Sequence, residues 1–219
     1  MYKYLTANTV TEMICLLVSV IFLLKDRSAY WRLFMIYLFI VCITETGGIY
    51  LRNIRVHNYG IYAVFLLFEC SMISTFFYYI YRKYHHRISM FSIWAGVFLL
   101  VYLTELFLSN FKAFPYQTAT FMSVVFVIAS LYFYLLILRD EKFRKLGTYP
   151  PFWITNGILF YYFGSTACNV FFDYLIQHDH SHAPNLSVRY IIFNVLNMLL
   201  YGCWSYAFIC RYYQRKLSF

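Results

Sequence analysis

The sequence predicts an all-α fold, a single polytopic membrane domain over residues 1–219 with seven transmembrane helices, the N-terminus outside and the C-terminus in the cytoplasm. Three observations lead there. Hydrophobic residues make up 62% of the chain and charged ones 12%, against roughly 45–50% and about 25% in a soluble domain. This excludes a water-soluble monomer. The apolar residues fall into long continuous runs separated by charged or turn-rich breaks, which suits helices rather than the alternating strands of a barrel. Lys and Arg are distributed unequally between alternate breaks.

Crossing about 30 Å of hydrocarbon takes about 20 helical residues, and seven runs have that length. The first, 5–24, follows a polar start with a single Lys and no small-residue cleavage site, so it is expected to stay attached. Lys25 and Arg27 separate it from the second, 31–51, and Arg52, Arg55 and His57 separate that from the third, 60–81. A basic stretch, Arg82 to Arg87 with His85 and His86, precedes the fourth, 89–110. Lys112 and Pro115 divide that run from the fifth, 117–138. The sixth, 152–176, follows Pro150-Pro151, which suit a helix start because the missing N–H has no intrahelical partner to lose there. The seventh, 189–210, follows a His-rich loop ended by Pro184.

Thirteen of the 18 Lys and Arg lie in the first, third and fifth breaks and the C-terminal segment. The other five are Lys3, Arg52, Arg55, Lys112 and Arg189. The positive-inside rule therefore sets the orientation, and the net charge of +9 reads as topology rather than nucleic-acid binding. The six Cys lie in apolar runs without a CxxC, so neither a disulfide framework nor a zinc knuckle is expected.

Five of the nine acidic residues, Glu12, Glu45, Glu69, Glu105 and Asp173, sit inside the apolar runs, all in their outer halves. Asn8, Asn110, Asn169, Asn194 and Asn197 lie at similar levels, above an inner half nearly free of ionisable groups. A charged side chain at mid-bilayer costs about 2.5–3.5 kcal/mol or more, so such residues face the bundle interior, neutralise or pair. The predicted arrangement is an outward-opening vestibule over an apolar plug, with Glu12, Glu45, Glu69, Glu105, Asp173, Asn169 and Asn197 binding a cation or polar ligand. The plainer alternative has Glu45 and its companions paired with Arg52, Arg55 or Arg189, pinning helices together.

His178, His180 and His182 alternate around Asp179 in the last outer loop, a density of imidazoles that could bind Zn or Cu, or simply form a polar turn. No His falls within a predicted span, so the cage of a seven-helix zinc hydrolase cannot be built in the membrane. No Lys lies in the last span to form a retinal Schiff base. No catalytic residues and no cofactor are expected. Gly47-Gly48, and Gly157 with Gly164 on one face of the sixth helix, permit close helix approach.

The segment Pro151-Phe152-Trp153-Ile154-Thr155-Asn156-Gly157-Ile158-Leu159-Phe160-Tyr161-Tyr162-Phe163-Gly164 resembles a motif of uncharacterised seven-transmembrane proteins of Bacteroidota, often encoded beside sensor histidine kinases. Leu138-Arg139-Asp140-Glu141 and the sequence from Glu45 to Gly47 are similar in kind. The resemblance implies a membrane sensing or signalling module. A looser similarity is to small multi-pass accessory proteins of antiphage and CRISPR systems. The leading expectation is a non-enzymatic sensor in the bacterial inner membrane, embedded in the lipid bilayer. Its cytoplasmic or membrane signalling partner would dock on Arg139, Lys142, Arg144, Lys145, Arg211 and Arg215. The competing expectation is a homo-oligomeric inner-membrane effector or cation channel of a defence system. Direct nucleic-acid binding is expected of neither.

Overall fold

A computed structural model describes residues 6–82, 89–140, 145–171 and 188–217. These form seven α-helices, one short 3-10 turn at Leu146–Thr148, and no strand among the described residues. The helices are α1 (Ala7–Leu23), α2 (Ala29–Asn53), α3 (Tyr59–Arg82), α4 (Ser89–Leu108), α5 (Tyr116–Arg139), α6 (Pro150–Val170) and α7 (Val188–Leu217).

Five stretches are long and apolar enough to cross a membrane: α2, α3, α5, Met90–Leu108 of α4 and Tyr190–Leu217 of α7. α1 is apolar but has 17 residues. α6 has 21, its apolarity diluted by Thr155, Asn156, Ser165, Thr166 and Asn169.

Local chemistry sets the helix starts. Thr6 caps α1, its hydroxyl accepting the Thr9 N–H at 3.2 Å. Pro115 directly precedes α5, and Pro150-Pro151 occupy the first turn of α6, two residues ahead of the predicted start at 152. The largest departure from the sequence reading is α7. Predicted to end at 210, it continues to Leu217, so Arg211, Arg215 and Lys216 lie on a helix rather than in a tail.

Six helices close a ring in the order α1, α2, α3, α5, α6, α7 and back to α1, while α4 packs outside it against α5. Side chains also tie α4 to α3: the Trp94 indole N–H donates to Ser74 Oγ at 2.9 Å, and the Tyr102 hydroxyl to the Ala63 carbonyl at 3.0 Å. Aromatic rings fill the interior. Phe34 of α2 meets Phe76 of α3 and Trp204 and Phe208 of α7 edge to face, and Phe126 of α5 meets Tyr162 of α6. Where lipid replaces water outside, such close packing is a main source of helix association.

α6 and α7 approach each other closely. A Cβ at Gly157 would lie 3.1 Å from the Leu200 carbonyl oxygen and from the Trp204 ring, and Gly164 faces the Leu196 side chain. Because the obstacle at Gly157 is partly backbone, Gly157→Ala is expected to push α6 off α7 and cost about 1–3 kcal/mol. Thermal unfolding in detergent measures this, and a wild-type midpoint would show that the contact has slack.

The outward faces are apolar on α1 and α6 as on the other helices. Leu17 and Ile21 of α1 are 61% and 70% exposed, and Phe163 of α6 is 63% exposed. Glu12, Glu45 and Glu69 face the inside of the ring while hydrocarbon faces outward, the reverse of a soluble protein.

Candidate functional site: an acidic cavity among four helices

A cavity of about 220 Å³ opens among α1, α2, α3 and α7, at the bundle end where α2 finishes and α3 begins. α1 contributes Asn8 and Glu12, α2 Thr44 and Glu45, α3 Tyr62 and Glu69, and α7 Asn197 and Tyr201. Phe114, ahead of α5, and Tyr161 of α6 complete the wall. Three carboxylates thus share one small cavity whose described lining contains no Lys, Arg or His.

Each carboxylate is held differently. Glu45 Oε2 accepts the Tyr62 hydroxyl at 3.1 Å, and Glu69 Oε1 the Tyr162 hydroxyl at 2.7 Å. Glu12 is 5% exposed, and its Oε2 is buried with no hydrogen-bond partner, as is Asn8 Oδ1. Among the described residues none of the three acids pairs with a Lys or Arg. Glu45 thus contacts a tyrosine rather than Arg52 or Arg55, the side chain of Arg189, the third partner expected, lying outside what the structure describes. A buried polar oxygen without a partner costs about 1–3 kcal/mol.

Gly48 makes the Glu45–Tyr62 contact possible. A Cβ there would sit on the Tyr62 hydroxyl, closer than atoms can approach, so the Gly47-Gly48 pair serves the cavity as well as helix packing. Gly48→Ala is expected to displace the hydroxyl from Glu45, with the same effect on the cavity as Tyr62→Phe. The double variant should be no worse than either single one. Additive losses would show that Gly48 acts elsewhere.

The other expected ligand residues are placed elsewhere. Glu105 lies on peripheral α4, where Oε1 accepts the Gln117 N–H at 2.9 Å and Oε2 the Thr118 N–H and hydroxyl at 2.7 and 2.6 Å. It satisfies the otherwise unpaired amides that open α5 and so secures the connection carrying Phe114 to the cavity. Asn169 donates to Thr120 Oγ1 at 3.3 Å, linking α6 to α5. Asn110 occupies a left-handed turn with φ of 50°. Asp173 and the His178, His180 and His182 cluster lie outside the described residues. No group of three His, Cys, Asp or Glu able to hold a metal ion occurs among the described residues.

At the opposite end, the basic groups assigned to a partner divide. Arg139 and Lys145 are exposed, and Lys142 and Arg144 lie outside the described residues. Arg211 and Arg215 instead turn inward onto Asp26 of the α1–α2 connection, whose side chain is 1% exposed. Arg211 Nε reaches Oδ2 at 3.0 Å and its NH2 group Oδ1 at 3.4 Å, while Arg215 lies 3.6 Å from Oδ2. The Ser28 N–H donates to Oδ1 at 2.8 Å, and the Arg211 guanidinium lies over the Trp31 ring. Burial alone would raise the Asp26 pKa. The Arg211 and Ser28 hydrogen bonds and the two guanidinium charges reverse that, holding it below its ordinary value.

By fold, the chain is an all-helical protein with several helices suited to crossing a membrane, built around an internal acidic cavity. No family model, curated protein or solved structure matches it.

Proposed function

We propose that this chain is a non-enzymatic sensor of the bacterial inner membrane, crossing it seven times with the N-terminus outside and the cavity open to the exterior. The observation carrying this reading is Glu12 Oε2, buried without a partner in a lining that also holds Glu45 and Glu69 and, among the described residues, no cation. A buried carboxylate left without a partner is expensive in this setting. A cationic ligand relieves it.

The apolar outer faces of α1 and α6 support seven crossings rather than five, and the charge asymmetry supports the orientation. Reporters fused after Phe219 and within 178–186 test both. The first is expected to be active only in the cytoplasm and the second only outside; the reverse pattern would turn the cavity inward and end this reading.

α7 is the element suited to transmit occupancy. It lines the cavity with Asn197 and Tyr201, and ten residues on, about 15 Å along the helix, it carries the Arg211 contact to Asp26. Ligand binding that shifts α7 changes that latch and the exposed basic groups near it, Arg139, Lys145 and Lys216, where a cytoplasmic partner docks. The aromatic plug of Phe34, Phe76, Trp204 and Phe208, each at most 1% exposed, supports sensing over conduction. Purified protein in liposomes should therefore pass neither ions nor dye, and measurable flux would favour the channel reading.

A further inference from the structure

The cavity's acids are not arranged for a point charge. Glu12, Glu45 and Glu69 share one lining, yet no three of the described acidic, His or Cys side chains come together closely enough to hold a metal ion. Glu12 and Glu45 lie near enough to interact electrostatically. Glu69 lies seven residues, about 10 Å along α3, beyond Tyr62, whose hydroxyl holds Glu45, and is itself held by Tyr162 of α6. The cavity therefore has two carboxyl poles, one at Glu12 and Glu45 with Asn8 beside them, the other at Glu69.

The free polar atoms at the first pole are acceptors, Glu12 Oε2 and Asn8 Oδ1. An ammonium group, with three donors and no acceptor, complements such a lining. The rest of the wall is largely aromatic and aliphatic, with Tyr37, Val41, Phe65 and Tyr161. Such a surface takes methylene groups and favours a cation over a ring face. The volume of about 220 Å³ lies below the roughly 300–1,000 Å³ of pockets for drug-sized ligands, so the occupant is short.

Building on the sensor reading, we propose that the cavity is a recognition site for a short aliphatic diamine, one ammonium group at Glu12 and Glu45 and the other at Glu69.

Calorimetry on the full-length protein in detergent tests this with 1,4-diaminobutane, 1-aminobutane and magnesium chloride at matched ionic strength. The diamine is expected to bind about tenfold or more tightly than the monoamine, the equivalent of one charge-assisted contact. Glu69→Gln is expected to reduce diamine affinity to the monoamine level. Equal affinity for the two amines in the parent protein would overturn two-pole recognition while leaving a cation pocket standing, as would magnesium binding more tightly than either. Absence of binding by all three would overturn the pocket itself. If Glu69→Gln does not fold, the comparison of the two amines on the parent protein decides alone.

Discussion

Glu12→Gln and Glu69→Gln should each abolish ligand response in cells while leaving the bundle folded. Both changes keep side-chain length and shape, and a glutamine carbonyl at position 69 can still accept the Tyr162 hydroxyl that now bonds Oε1 at 2.7 Å. The negative charge is lost and one acceptor oxygen becomes an NH2 donor. At Glu12 the expected direction of the stability change is the informative part. Its Oε2 is buried without a partner, so replacing the carboxylate by an amide removes a desolvation cost, and Glu12→Gln should be as stable as the parent or more stable by about 1 kcal/mol. A helix-pinning role requires the opposite, a drop in stability as a partner is stranded. Thermal unfolding in detergent beside a cellular response assay separates these outcomes. Full response in both variants would remove the cavity from the function.

Asp26→Asn is expected to have the largest effect on stability, about 3 kcal/mol, the scale of breaking a buried ion pair by removing one partner. The carboxylate is 1% exposed and receives both Arg211 and Arg215, which would be left facing each other without a counter-charge. The pH dependence follows from the depressed pKa. The latch contributes fully above the ordinary carboxylate range, and its contribution is lost as pH falls through the lower value of the folded state. The parent protein should thus lose stability in strong acid, and Asp26→Asn should lack that component. An unchanged midpoint in the variant would show that the latch does not hold α7.

Helix positions were largely legible because a bilayer-spanning length imposes long apolar runs with polar breaks, and those breaks mark every helix of the described structure. The end of α7 was hidden by its charge. Arg211 and Arg215 read as basic groups free to dock a partner, whereas Asp26, 185 residues from Arg211 in sequence, gives both a buried counter-charge. Asp26 itself looked unremarkable between Lys25 and Arg27. The depth of the acids could be counted along each run, but the direction they face could not. Glu12, Glu45 and Glu69 converge because α1, α2 and α3 are consecutive members of the ring. Glu105, at a comparable depth, sits on the helix outside the ring and turns to α5. The tyrosines that hold two of the acids, Tyr62 and Tyr162, carried no distinguishing signal among 24.

The sensor reading depends on the cavity being open to the exterior, and Asn8→Cys tests that most directly. Asn8 lies in the first turn of α1 and lines the cavity, while the native cysteines are buried or half-buried and give a low background. In intact cells a membrane-impermeant maleimide should label Asn8→Cys well above the parent protein, and 1,4-diaminobutane should slow that labelling. Labelling that appears only in inverted vesicles would place the cavity on the cytoplasmic side and contradict an outward-facing sensor.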